Sequence, residues 1–259
     1  MEIMLSSSTQ NNSWLGRLDS RVKIVSLMGF IAIMTSASSK PALLLGIIFL
    51  VLLGILAGTS PLLFIKRILW TFPFVGFMVL LFPFVVPGTV FTKISLGSVV
   101  LSMSHEGLSR AVMLSLRMTI GLFALTLLAS TTSPGKLMLG LRQLHVPYIF
   151  VAVVEFTLRY IFVLLDELKR MALARKARGF ESGRSLLHWR TFFTLGNQVG
   201  ILFLRASNRG ERIYQAMLSR GYCGEVPVKP RVGLKALDVG WGMGVLATAM
   251  FLKLGVGNG

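Results

Sequence analysis

Apolar residues in this chain come in long blocks, not at short alternating intervals. Blocks cover residues 18–37, 42–57, 68–86, 108–130 and 234–254. Each is close to the roughly 20 residues that a helix needs to cross a bilayer core of about 30 Å. Asp19 stands where an N-cap is wanted for the first helix, and Arg21 and Lys23 fit a headgroup layer. Lys40-Pro41 and Gly58-Thr59-Ser60-Pro61 break the chain between blocks. Pro73 and Pro83 kink or shorten the third span. Residues 87–106 form a polar loop with one lysine, and residues 92–96 suit a small hairpin. Residues 1–13, rich in Ser, Asn and Gln, read as a loose tail. They lack the order of a secretory signal, so the first span serves as its own insertion signal.

Residues 131–233 follow a different pattern. Pro134 opens a short helix, about 134–145, which stops before Pro147. A long helix spans about 148–178, with Glu155, Arg159, Asp166 and Arg170 in one stripe. Glu155–Arg159 and Asp166–Arg170 are acid-first i,i+4 pairs. A second long helix spans about 191–220. One face carries Arg205, Arg209, Arg212 and Ala216; the other holds Phe203, Ser207, Gly210, Tyr214 and Met217, where small residues allow close helix crossing. The expected fold is therefore an all-α polytopic membrane protein. It has about five transmembrane helices plus a cytoplasmic or interfacial domain of one short and two long crossed helices. The divisions are 1–130 (tail and four spans), 131–233 (helical domain) and 234–259 (last span). Residues 148–165 are also apolar enough for an ordinary span; that alternative stays open, although it would put the basic helix ends at 178 and 220 on opposite sides of the membrane, and two similar ends should meet similar partners.

The two long helices end alike. At an offset of 42 residues, Arg170 matches Arg212, Ala174 matches Ala216, Arg178 matches Arg220, Gly179 matches Gly221, and Phe180 corresponds to Tyr222. Gly suits the left-handed residue that closes a helix. A cation in the last turn favours the negative end of the helix dipole. One such ending is how many basic helices stop. Two, with matching residues a turn or two before, point to a shared kind of partner.

Charge narrows the class. The 259 residues carry a formal net charge of +17. In a soluble chain that would suggest nucleic acid. Here 17 of the 27 Lys and Arg lie in 134–235 with 6 of the 10 acidic residues, as the positive-inside rule expects for a cytoplasmic block. The N-terminus is then inside and the C-terminus outside. Arg117 lies well within the fourth span, where a cation costs roughly 2.5–3.5 kcal/mol. It must face protein, either as an internal packing contact or as an intramembrane partner contact.

No phosphate-binding glycine loop is present: Ser133-Pro134-Gly135-Lys136-Leu137 lacks the glycine spacing and the Mg²⁺-ligating hydroxyl. His105, His145 and His188 are scattered, and Cys223 is alone, so no metal-ligand set is evident. No catalytic, cofactor-binding or metal residues are assigned, and the chain is read as a non-enzyme.

These residues resemble the transmembrane (T) component of energy-coupling factor (ECF) transporters, most of all its cobalt branch, CbiQ. Leu18-Asp19-Ser20-Arg21-Val22-Lys23 is similar to the family's Leu-Asp-Pro-Arg-x-Lys, with Ser20 in place of Pro. Ala177-Arg178-Gly179 matches its first Ala-Arg-Gly motif. Ser219-Arg220-Gly221 is similar to the second, with Ser219 in place of Ala. The resemblance implies a multi-pass coupling subunit of a prokaryotic cell membrane. Its two crossed helices would dock through Ala177, Arg178, Gly179, Ser219, Arg220 and Gly221 into two ATP-binding-cassette subunits, supported by Arg170 and Arg212. ATP and Mg²⁺ would sit on those subunits. A separate substrate-binding membrane subunit and a small accessory membrane subunit would handle the cargo, cobalt in this branch and nickel or a vitamin in others. A stand-alone carrier or channel is the competing class; it predicts inverted repeats and mid-membrane polar groups.

Overall fold

The computed structural model describes residues 14–59, 62, 64–67, 69, 73, 76, 77, 81, 82, 90–96, 99–179, 189–224 and 233–255. The expected span at 68–86 lies largely outside the described residues. A 3₁₀ turn (Trp14–Arg17) leads into α1 (Ser20–Thr35) and α2 (Lys40–Leu56). A hairpin of β1 (Val90–Leu96) and β2 (Val99–Ser104) precedes α3 (His105–Thr131). Then follow α4 (Pro134–Gln143), α5 (Tyr148–Ala177), α6 (Trp189–Leu218) and α7 (Ala236–Gly255). The fold is all-α apart from that antiparallel hairpin, which pairs Leu96 with Val99 and Val90 with Ser104 across a bulge. Two compact units result: 1–140 with 233–259, and 141–232.

In the first unit, helix ends follow from their cap residues. Asp19 accepts a hydrogen bond from the Arg21 amide at 3.0 Å. The Ser104 hydroxyl accepts one from the Gly107 amide at 2.9 Å, satisfying donors that the first turn leaves open. Pro41 opens α2, where its missing N–H costs nothing. Within α3, the hydroxyls of Ser115, Thr119, Thr126 and Thr131 each donate to the carbonyl four residues back, at 2.6–2.8 Å. Polar side chains on an apolar helix are thereby satisfied without water.

Helix α1 packs against α7 and α3, and α2 packs against α3. Phe30, Met34, Leu43, Leu50, Ile120, Phe123 and Leu127 form the buried centre, with Phe64 edge-on to Phe123 at 5.2 Å. The crossings need glycine. A Cβ on Gly242 of α7 would lie 2.5 Å from the Val22 Cγ1 of α1, so the two backbones approach as small residues allow.

Two polar layers bound this apolar centre. At one end the Lys23 ammonium, fully buried, donates to the Thr131 carbonyl at 3.4 Å. Beside it the Ser20 hydroxyl donates to the Lys136 carbonyl at 2.8 Å, and Lys136 Nζ donates to the Gly16 carbonyl at 3.2 Å. At the other end Arg117 Nη2 donates to the Ala37 carbonyl at 2.9 Å, and Lys253 Nζ meets Ser36 Oγ at 3.2 Å. From Arg117 to Thr131 the rise along α3 is about 21 Å. Arg117 therefore sits level with the α1–α2 turn, and the first three turns of α3 extend past it. Helix α1, with 16 residues, is shorter than its apolar block 18–37, while α2, with 17, is close in length to block 42–57. The Lys253 stem, whose contact to Ser36 is exposed, can snorkel to the interface. By length and composition, α3, α5 and α7 are the described helices able to cross a membrane.

Candidate functional site

The second unit holds the residues singled out by the repeat. Helix α5 has 30 residues and so does α6, about 45 Å each at 1.5 Å per residue. They lie side by side and antiparallel. One end of the contact brings Tyr160 near Ile213. Further along, Glu167 forms an ion pair with Arg205. The other end brings Ala174 and Arg178 near Thr194 and Asn197. Close backbone approach is limited to a few residues, and the remaining space is bridged by long side chains.

Both helices stop by one device. The Arg178 amide donates to the Arg175 carbonyl at 3.1 Å and Gly179 to Lys176 at 3.0 Å. In α6 the Arg220 amide donates to Met217 at 3.0 Å and Gly221 to Leu218 at 2.9 Å. These i→i+3 bonds tighten the last turn and use up carbonyls that the helix would otherwise leave open. Then Gly179 and Gly221 take φ of +73° and +81°, and the chain leaves. After Gly221, the Tyr222 amide reaches back to the Met217 carbonyl at 3.1 Å, completing a left-handed cap. Phe180, the counterpart of Tyr222, lies outside the described residues. Ser219 Oγ bonds the Ala216 carbonyl at 3.0 Å, and so helps fix the arginine that follows.

Arg178 and Arg220 are exposed, and among the described residues neither has a carboxylate partner. The antiparallel arrangement sends them to opposite ends of the pair. Arg178 lies level with Thr194, so the tips are separated by about 40 Å along α6. The supporting residues are not equivalent. Arg212 faces α5 and its Nε donates to the Asn208 carbonyl at 3.3 Å. Arg170 points to solvent, while its neighbour Ala174 lines the space under Arg178. The repeat is thus one of helix endings, not of helix faces.

Two expectations change. The α5 pairs are not Glu155–Arg159 and Asp166–Arg170: Asp166 takes Lys169 at 3.3 Å, and Glu167 takes Arg205 across the helix pair. Also, α6 meets α5 mainly through its arginine face; of the small-residue face Gly210 lines the α5–α6 space, while Phe203 and Tyr214 stay open. The reason is that Glu167 offers a carboxylate and Val163 and Leu164 offer apolar surface for arginine stems. Glu167 was missed because its partner is 38 residues away. Arg117, placed in the first unit, makes an internal contact with the Ala37 carbonyl. Among the described residues, no group of three or more His, Cys, Asp or Glu side chains is gathered as a metal site.

The sequence matches the family described as cobalt transport protein, CbiQ, over residues 11–231. It is 32% identical over 234 residues to an energy-coupling factor transporter transmembrane protein, EcfT, of Listeria innocua, covering 86% of each chain. It is 25% identical over 202 residues to the cobalt transport protein CbiQ of Rhodobacter capsulatus, covering 78% of this chain and 77% of that one. An uncharacterized protein of Methanocaldococcus jannaschii is 33% identical over 244 residues, covering 92% of this chain and 81% of the relative.

Proposed function

The chain belongs to the CbiQ family and is a transmembrane component of an energy-coupling factor transporter; on that premise we propose that it couples ATP hydrolysis on two partner ATPase subunits to cobalt uptake. The observation that carries this reading is the pair of arginine-tipped helices, closed by the same cap and aimed in opposite directions. Each guanidinium stands at the end of a rigid rod, where it can pair bidentately with a partner carboxylate. Two ATP-binding subunits that close on nucleotide would shift the two tips. The α5–α6 pair, tied at Glu167–Arg205, would pass that movement to the membrane helices and to a separate substrate-binding subunit. ATP and Mg²⁺ belong to the ATPase subunits, and cobalt is cargo.

The reading places α5 and α6 at the cytoplasmic face, with the N-terminus on the same side. Helix α5 is long and apolar enough to span. Yet its middle lies against Arg205, Arg209 and Arg212 of α6, and three cations are costly deep in a bilayer. An interfacial position satisfies both helices: apolar α5 surface meets lipid or a membrane partner, and the arginines meet headgroups and water.

The test is charge reversal. Arg178→Glu and Arg220→Glu, singly and together, are expected to lower recovery of the ATPase subunits with the purified membrane complex and to abolish uptake in the double variant. Unchanged recovery together with unchanged uptake would remove the docking claim.

A further inference from the structure

Between α5 and α6 lies a cleft of about 230 Å³, walled by Val163, Leu164 and Glu167 on one side and by Arg205, Arg209 and Arg212 on the other. Its charges do not balance. Glu167 is taken by Arg205. Arg209 and Arg212 have no carboxylate partner among the described residues, so the cleft carries two surplus positive charges. Arginines at i, i+4 and i+7 repel one another on a helix face. An anion held among them offsets that repulsion.

The neighbouring space is of the opposite character. A second cavity of about 110 Å³ adjoins the first, lined by Tyr160, Ala206, Gly210 and Ile213, with Val163, Leu164 and Arg209 shared between the two. Arg209 thus stands on the border of a cationic cleft and an apolar groove. Beyond Tyr160 towards Tyr148, α5 continues as a mainly apolar surface, interrupted by Glu155 and Arg159, that this chain leaves almost wholly uncovered. A free inorganic anion would use the arginines and leave the groove unused. A ligand with an anionic head and a hydrocarbon chain uses both.

We propose that this joined cleft and groove binds one anionic phospholipid, with its phosphate between Arg209 and Arg212 and an acyl chain running past Leu164 and Ala206. Guanidinium groups pair with phosphate through two parallel hydrogen bonds. Basic pockets between helices at the cytoplasmic face suit acidic headgroups. The site would pin the α5–α6 pair to the inner leaflet. It does not depend on what the tips Arg178 and Arg220 dock with.

The full-length chain, reconstituted in nanodiscs of equal phosphatidylglycerol and phosphatidylcholine and then extracted into mild detergent, is examined by native mass spectrometry. One retained phosphatidylglycerol per chain, preferred over phosphatidylcholine, is expected. Arg209→Gln should lower its retention about fivefold, the share of one cation near an anionic headgroup. Ala206→Phe, which fills the groove and leaves every cation in place, should lower it as well, with unchanged melting temperatures showing that both variants fold. Equal retention of the two lipids, or wild-type retention by Arg209→Gln, overturns the proposal. If inorganic phosphate displaces the lipid and Ala206→Phe has no effect, the site is one for small anions. If partner subunits displace the lipid on assembly, the cleft belongs to an acidic partner segment; both results also overturn it.

Discussion

Replacing Lys23 by Met tests the polar layer at the end of α1. The side chain is 1% exposed and its ammonium donates to the Thr131 carbonyl, on the last residue of α3. Burial strips the ammonium of water and Lys136 repels it, while Asp238, itself buried, and Asp19 attract it. Methionine keeps the stem's volume and removes the charge. The variant loses a hydrogen bond from a charged donor, about 1.5–3 kcal/mol. It also removes a buried cation that Asp238 attracts, a change that in closed sites costs up to about 3–5 kcal/mol. Against these losses, the desolvation of the ammonium and its repulsion by Lys136 disappear with the charge. A net loss of about 2–3 kcal/mol follows, or about 5–10 °C in melting temperature for a chain of this size. The assay is thermal unfolding of the purified chain in detergent, followed by fluorescence-detected size exclusion. Adding Asp238→Asn to the Met variant should restore about 1 kcal/mol, because the stranded carboxylate is gone. The control is Lys253→Met, whose contact to Ser36 is exposed and whose loss should cost under about 0.5 kcal/mol. A Lys23→Met variant that melts like the Lys253→Met control, with no rescue by Asp238→Asn, would refute the idea that Lys23 ties α1 to α3 and α7.

Further substitutions check other contacts. Gly221→Ala and Gly179→Ala should each cost about 1 kcal/mol, purely through the backbone, since an added Cβ meets nothing within 4 Å; equal stability of wild type and variants in melting curves would contradict the left-handed caps. His145 holds φ of +62° without being glycine, so His145→Gly should be neutral to stabilising in the same assay. Gly242→Ala pushes a methyl to 2.5 Å from the stiff Val22 side chain and should cost about 1–3 kcal/mol, whereas Gly244→Ala, with open space around it, should not lower the melting temperature. Glu167→Gln removes a partly exposed ion pair with Arg205 and should cost no more than about 1 kcal/mol, with the difference shrinking in high salt.

What could be seen in the sequence was local. Asp19, Pro41, Pro134 and the Gly after each long helix set element ends within a few residues, because caps depend on neighbours along the chain. The α5 and α6 endings were legible for the same reason. What stayed hidden was set by distance along the chain. Nothing near Arg117 indicates the Ala37 carbonyl, 80 residues away. Nothing near Glu167 selects Arg205 over the local lysine or arginine. The α6 face was misjudged because small residues suggest close packing, whereas a carboxylate and arginine stems decided the contact. The first half of α5 is apolar on most sides and its second half is charged on several, so periodicity alone could not say which side lies against α6.

The antiparallel pairing gives the repeat a meaning that the sequence alone lacks. Two similar helix endings on parallel rods would present both arginines to one place. On antiparallel rods they emerge at two places about 40 Å apart, related approximately by a twofold axis through the pair. Two like partners that associate face to face are themselves related by a twofold axis. On the docking proposed above, the tips would suit a pair of similar subunits, one per arginine, better than a single partner grasping both. Under that geometry Arg178→Glu and Arg220→Glu should weaken subunit recovery by similar factors, and each single variant should retain one attached subunit, visible as a half-assembled complex by native mass spectrometry. If one reversal removes both subunits and the other removes none, the tips are not equivalent docking points and the twofold reading of the pair is wrong.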